Sequence, residues 1–111
     1  MYAQVEERID RRVEEFKEFQ QHAAQLDLKE DHAFQDMLRQ AQVLLEISDQ
    51  QIADGLLVSR PSVNRWVRGK NLPHPALRKS IVSWVIDQLS RRIKLLDGIG
   101  RSAANQSAVA R

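Results

Sequence analysis

Residues 56–70, LLVSRPSVNRWVRGK, set Arg60, Arg65, Arg68 and Lys70 around two bulky apolar residues, Val63 and Trp66. A guanidinium is always charged and presents its N–H donors in a flat fork suited to phosphate or carboxylate oxygens. The surroundings favour the phosphate sense. Between Asp54 and Asp87 there is no acidic residue, whereas Arg60, Arg65, Arg68, Lys70, Arg78 and Lys79 all fall in that interval. Residues 1–54 hold 13 Asp/Glu against 6 Lys/Arg, and residues 55–111 hold 2 against 11, so a net charge of only +2 hides two halves of opposite sign. Such asymmetry points to an anionic partner for the second half, nucleic acid among them; the plain alternative is a solvated basic face.

Other chemistry finds little support. His22, His32 and His74 are scattered, and none has metal-ligand spacing with a second His or a carboxylate on one helix face. The carboxylates of residues 6–18 recur at helical surface spacing beside Arg and Lys, as on a solvated helix. There is no cysteine, no phosphate loop, no nucleophile elbow and no Gly-rich fingerprint. We therefore expect no enzyme, no metal site and no cofactor.

The elements that must position the basic cluster read as helices throughout. Residues 2–21 carry Tyr2, Val5, Ile9, Val13, Phe16 and Phe19 at spacings of three and four, an amphipathic helix that either packs on a core or joins two copies of the chain. A second helix is expected from about His32 to Glu46, with Phe34, Met37, Leu38, Ala41, Leu44 and Leu45 on one face. Ser48 with Gln51 forms a capping box for a short third helix over residues 49–56, and Ile47 with Ile52 can staple it. Ser59 caps a fourth helix, Arg60 to about Arg68, with Pro61 in its first turn, where a missing N–H has no partner to lose. Gly69 ends it, and a turn with two prolines leads to a long helix from Leu77 to about Leu96. The rest, DGIGRSAANQSAVAR, loses apolar periodicity and is expected as a frayed tail. Nothing alternates as a half-buried strand would, so the expected fold is all-α.

Two short helices, 49–56 and 60–68, joined by a three-residue turn and followed by Gly-Lys and a proline, form a recognisable combination. Residues 38–85 resemble the lambda-repressor-like, Cro/repressor-type helix-turn-helix family. The resemblance rests on Ser48, Gln51-Ile52-Ala53, Val58-Ser59, Val63-Asn64-Arg65-Trp66, Arg68-Gly69-Lys70, Pro73 and Leu77, a little under half of the chain. It implies a five-helix domain with an N-terminal helical extension and a long last helix, in which the second short helix enters the major groove. It also implies DNA contact at Arg60, Pro61, Ser62 and Arg65, with Ser59 and Asn64 alongside. Arginine reads guanine through two hydrogen bonds to O6 and N7, and Pro61 offers only apolar contact. Arg68, Lys70 and Asn71 are better placed for phosphate.

Two positions depart from the family. Where the family places a glycine in the turn, this chain has Leu57, with Gly55 two residues earlier; either Leu57 adopts a strained conformation or the turn differs in shape. Where the family often has Gln at the start of the leading helix, this chain has Asp49, which would repel phosphate, so Gln50 takes over that contact or the contact is absent.

The length, 111 residues, suits one domain with helical extensions. The expected division is an N-terminal amphipathic helix over 1–26, a DNA-binding unit over 27–96 and a flexible tail over 97–111. No apolar run approaches a membrane span and no signal-peptide core opens the chain, so a cytoplasmic protein is expected. The leading expectation is a dimeric repressor reading an inverted repeat in double-stranded DNA through helix 60–68. The dimer contact would come from helix 2–21 and from Leu89, Ile93 and Leu96. The principal rival is a protein-interaction module, such as an antitoxin or anti-activator, that engages a protein partner through the acidic first helix. A nucleoid-type binder without sequence preference is the third.

Overall fold

The computed structural model describes the backbone of residues 2–109 and the side chains of residues 4–100. Its elements are α1 (Tyr2–Ala24), α2 (Asp31–Leu45), α3 (Asp49–Leu56), α4 (Arg60–Val67) and α5 (Pro75–Val109), with no strand among the described residues. The chain is all-α, and no described helix is long and apolar enough to cross a membrane. The side chain of Tyr2, expected on the apolar stripe of α1, lies outside the described residues.

Local chemistry accounts for the boundaries. Ser48 Oγ accepts from the Gln51 backbone N–H while Gln51 Oε1 accepts from that of Ser48, so the capping box of α3 is complete. Ser59 Oγ accepts from the Ser62 N–H at the start of α4. Both α2 and α3 end in a residue with left-handed backbone that is not glycine, Glu46 (φ 54°) and Leu57 (φ 58°), whose N–H groups bond back to Gln42 and Ala53.

The last helix departs from expectation at both ends. It starts at Pro75, where a proline is tolerated in a first turn, and it continues past Leu96 as far as Val109. Apolar periodicity stops there, but residues 101–109, RSAANQSAV, contain three alanines and no Gly or Pro, so the backbone has no reason to leave the helix. Periodicity marks the part of a helix that packs; it does not mark where the helix ends.

α1 and α5 run antiparallel. Gln20 Nε2 donates to the Ile86 carbonyl and to Ser90 Oγ at one end, and Gly100 faces Ile9 at the other. Val13, Phe16, Phe19 and Ala23 of α1 are buried in the chain's own core with Ile81, Val82, Val85 and Leu89 of α5. Core packing therefore takes the middle of the α1 stripe. Leu89 is fully buried, and Ile93 and Leu96 pack against the same core, so these three do not form a free dimer seam. Phe34, Met37, Leu38, Ala41 and Leu45 of α2 fill the centre, where each large side chain contributes about 1.5–3 kcal/mol through removal from water.

Arg78 is the one buried charged residue among those described. It lies in the acid-free interval that suggested a basic surface, yet it is 4% exposed. Its Nε donates to the Pro73 carbonyl, Nη1 to the Leu28 carbonyl and Nη2 to Asp31 Oδ1, while the guanidinium lies 5.4 Å from the centre of the Phe34 ring. One side chain thus ties the loop before α2, the start of α2 and the turn before α5 together. The Asp31 partner faces solvent, so the charge is compensated without complete desolvation.

Candidate nucleic-acid interface

α4 is held from behind along its whole length. Val63 is fully buried and Trp66 nearly so, which fixes one face of this eight-residue helix against the core. Ser59 caps its first turn, with Ser59 Oγ and Ser62 Oγ 2.8 Å apart. At the other end the Arg68, Gly69 and Lys70 N–H groups bond back to the Asn64, Trp66 and Arg65 carbonyls. The Val67 carbonyl, a further orphan of the helix end, accepts from Gln35 Nε2 of α2 at 3.0 Å. Gly69 sits at φ 75°, and a Cβ there would lie 2.7 Å from that same Gln35 amide. Glycine meets both demands at once, of backbone and of space.

Midway along α4, Asn64 Nδ2 donates to Asp49 Oδ2 at 3.0 Å, and Asp49 Oδ1 accepts from Gln42 Nε2 at 2.6 Å. The carboxylate at the start of α3 therefore joins three helices. Gln35 and Gln42 are seven residues apart on α2, two turns along one face, and from that face they secure the far end of α4 and the near end of α3.

The opposite face of α4 is open. Arg60, Pro61, Arg65 and Arg68 are exposed, as are Lys70 and Asn71 in the following turn. Among the described residues no carboxylate pairs with Arg60, Arg65, Arg68 or Lys70. The structure thus leaves these cations exposed on and just after a helix whose other face is buried.

The remaining expected site residues fall differently. Asn64 is half-buried, its amide engaged by Asp49. Ser62 is half-buried against the Ser59 hydroxyl. Gln50 is exposed on α3 but donates to Asp54 Oδ1 at 2.8 Å within its own helix. Asn71 takes a left-handed conformation, φ 50°, which this residue type tolerates better than most.

The turn between α3 and α4 answers the question raised by its missing glycine. Leu57 itself adopts the left-handed conformation, φ 58° and ψ 43°, and its side chain is 92% exposed. The Val58 N–H closes the turn on the Ala53 carbonyl at 3.0 Å. Gly55 serves a separate purpose: it lies under the Trp84 indole of α5, which a β-carbon would meet.

Sequence reasoning missed Gln35, Gln42 and the internal role of Asp49. The seven-residue repeat of the two glutamines was a usable signal; the Asp49–Asn64 pair, fifteen residues apart across a turn, carried none. Among the described residues no group of three or more His, Asp or Glu gathers as a metal would require. Compared with known proteins, the chain matches no family model, and no significant match is found among curated proteins or solved structures.

Proposed function

We propose that the chain is a sequence-specific DNA-binding regulator of transcription, in which α3 and α4 act as a helix-turn-helix and α4 enters the major groove. One observation carries the reading: Arg60, Arg65, Arg68 and Lys70 are exposed, and without acidic partners among the described residues, on and just after a short helix that is braced from behind. In the proposed arrangement Arg60 and Arg65 read base edges, with Pro61 in apolar contact. Arg68 and Lys70 bind phosphate and add affinity without reading sequence. The experiment is a gel-shift titration of Arg65→Ala against a duplex selected by the wild-type protein. Loss of specific binding with an unchanged fold supports the assignment; unchanged affinity refutes it.

A single short helix reads few base pairs, so the proposal includes a homodimer on half-sites about one helical turn apart. Support comes from Val5, Leu95 and Ile99, which remain 37%, 61% and 47% exposed along the α1/α5 pair. The cytoplasm is the compartment this reading implies, and repression is its simplest mode.

A second reading, a protein-interaction module of the antitoxin or anti-activator kind, is favoured by one feature. An open groove of about 610 Å³, lined by Asp36, Arg39, Gln40, Val43 and Leu44, leaves Val43 76% exposed. Isolation of a stable heteromeric complex, together with weak and sequence-independent DNA binding, would favour this reading over the first.

A further inference from the structure

We propose that Asp49 is the positioning residue of the α4 face: its carboxylate, anchored by Gln42, holds Asn64 and so sets how Arg60 and Arg65 are presented, while withdrawing Asn64 from the base-reading set. The inference rests on the DNA-binding reading and adds to it the residue that determines its precision.

Capping does not account for the direction in which this carboxylate points. A carboxylate at the first residue of a helix is commonly explained by capping or by the helix dipole. Capping of α3 is already complete in the Ser48–Gln51 pair, which satisfies two backbone N–H groups without Asp49. Both Asp49 oxygens point instead at side chains of other helices, Oδ1 to Gln42 of α2 and Oδ2 to Asn64 of α4. An ionised carboxylate only accepts, so it can bind two amide donors at once without the choice of orientation that an amide would face.

The contact lies where α4 most needs a directional restraint. Val63 and Trp66 bury α4 through apolar packing, which resists separation but tolerates small rolls about the helix axis, and the Gln35 bond to the Val67 carbonyl holds only the far end of the helix. Asn64 stands at the border between that buried face and the exposed Arg65, so a hydrogen bond there opposes rolling in either direction. A recognition constellation must be held within about 0.5 Å and 10–20° to work. The long Arg60 and Arg65 side chains magnify any roll at their tips. Phosphate affinity through Arg68 and Lys70 is far less sensitive to it, because a point-charge contact tolerates displacement. Loss of the bracket therefore lowers specificity more than it lowers total DNA affinity.

The test compares the wild type with Asn64→Ala, Asn64→Asp and the exchange Asp49→Asn/Asn64→Asp. Asn64→Asp sets two carboxylates against each other. In the exchange, the new amide at 49 accepts from Gln42 through its carbonyl and donates to the new carboxylate at 64, which restores both bonds at the wild-type net charge. The readout is the ratio of affinity for the duplex selected by the wild type to affinity for a scrambled duplex, with thermal midpoints recorded alongside. The expected result is a fall of about tenfold or more in this ratio for both single variants, with scrambled-duplex affinity of Asn64→Ala within about threefold of wild type. The exchange is expected to return the ratio to within about threefold of wild type. An unchanged ratio in Asn64→Ala overturns the proposal. A folded exchange variant that stays non-specific also overturns it, because Asn64 would then be a base contact itself. A wild type that selects no sequence refutes the DNA-binding reading in its own arm, and the role in base readout with it.

Discussion

The Trp84 indole lies directly over Gly55: a β-carbon built at Gly55 would stand 2.5 Å from Trp84 Cζ2 and 2.8 Å from its Nε1. Glycine inside a helix gives up about 1 kcal/mol relative to alanine. Overpacking against a rigid, half-buried ring costs about 1–3 kcal/mol. Gly55→Ala is therefore expected to destabilise the fold by up to about 2 kcal/mol despite its better helix propensity, as read by urea denaturation with Trp fluorescence. A stabilised variant would mean that Trp84 can move aside freely.

Leu57 presents the opposite case. Its left-handed backbone strains a side chain that is 92% exposed and contributes no packing. Leu57→Gly relieves about 1–2 kcal/mol of strain and gives back part of it as unfolded-chain entropy. A net gain of about 0.5–1 kcal/mol is expected. Leu57→Ile, branched at the β-carbon, should instead lower the denaturation midpoint.

Arg78 tests whether a buried cation holds three segments together. Arg78→Ala leaves the Pro73 and Leu28 carbonyls without their donor and is expected to cost about 3 kcal/mol by equilibrium denaturation. Arg78→Lys should recover less than half of that, since one ammonium cannot reproduce a planar fork reaching three acceptors. Full recovery by lysine would reduce the role of Arg78 to charge alone.

These positions also mark what could be read in the sequence. The all-α class, the capping box of α3, the Ser59 cap of α4 and the buried faces of α2 and α4 follow from local spacing. The Asp27/Glu30 spacing, which also resembles a capping box, makes none: Glu30 stands at the N-cap of α2 without a side-chain cap bond. Arg78 was legible in part, for it lies four residues before Val82 and seven before Val85 on the buried side of α5. Its charge led to a surface assignment, because burial of an arginine depends on carbonyls that only the folded loops supply. The end of α5 was misjudged for the converse reason, since a helix needs no core contact to persist. Within the candidate site, the outward arginines were evident from the sequence. The engagement of Asn64 by Asp49 was not, because it depends on how α3 and α4 cross.

Dimerisation through the α1/α5 pair is tested by Leu95→Glu/Ile99→Glu. Leu95 is 61% and Ile99 47% exposed, so the monomer fold should tolerate both changes. The double charge is expected to shift the sedimentation of a dimeric wild type to that of a monomer and to weaken binding to a two-site duplex by about tenfold or more. A double variant that remains dimeric would place the contact elsewhere.

The central claim is that the face of α4 reads DNA sequence. Selection of bound duplexes from a random pool by the wild-type protein tests it most directly. The account predicts enrichment of an inverted repeat whose half-sites lie about one helical turn apart. A bound pool with no enriched sequence, held by charge alone and lost steeply with salt, would contradict it.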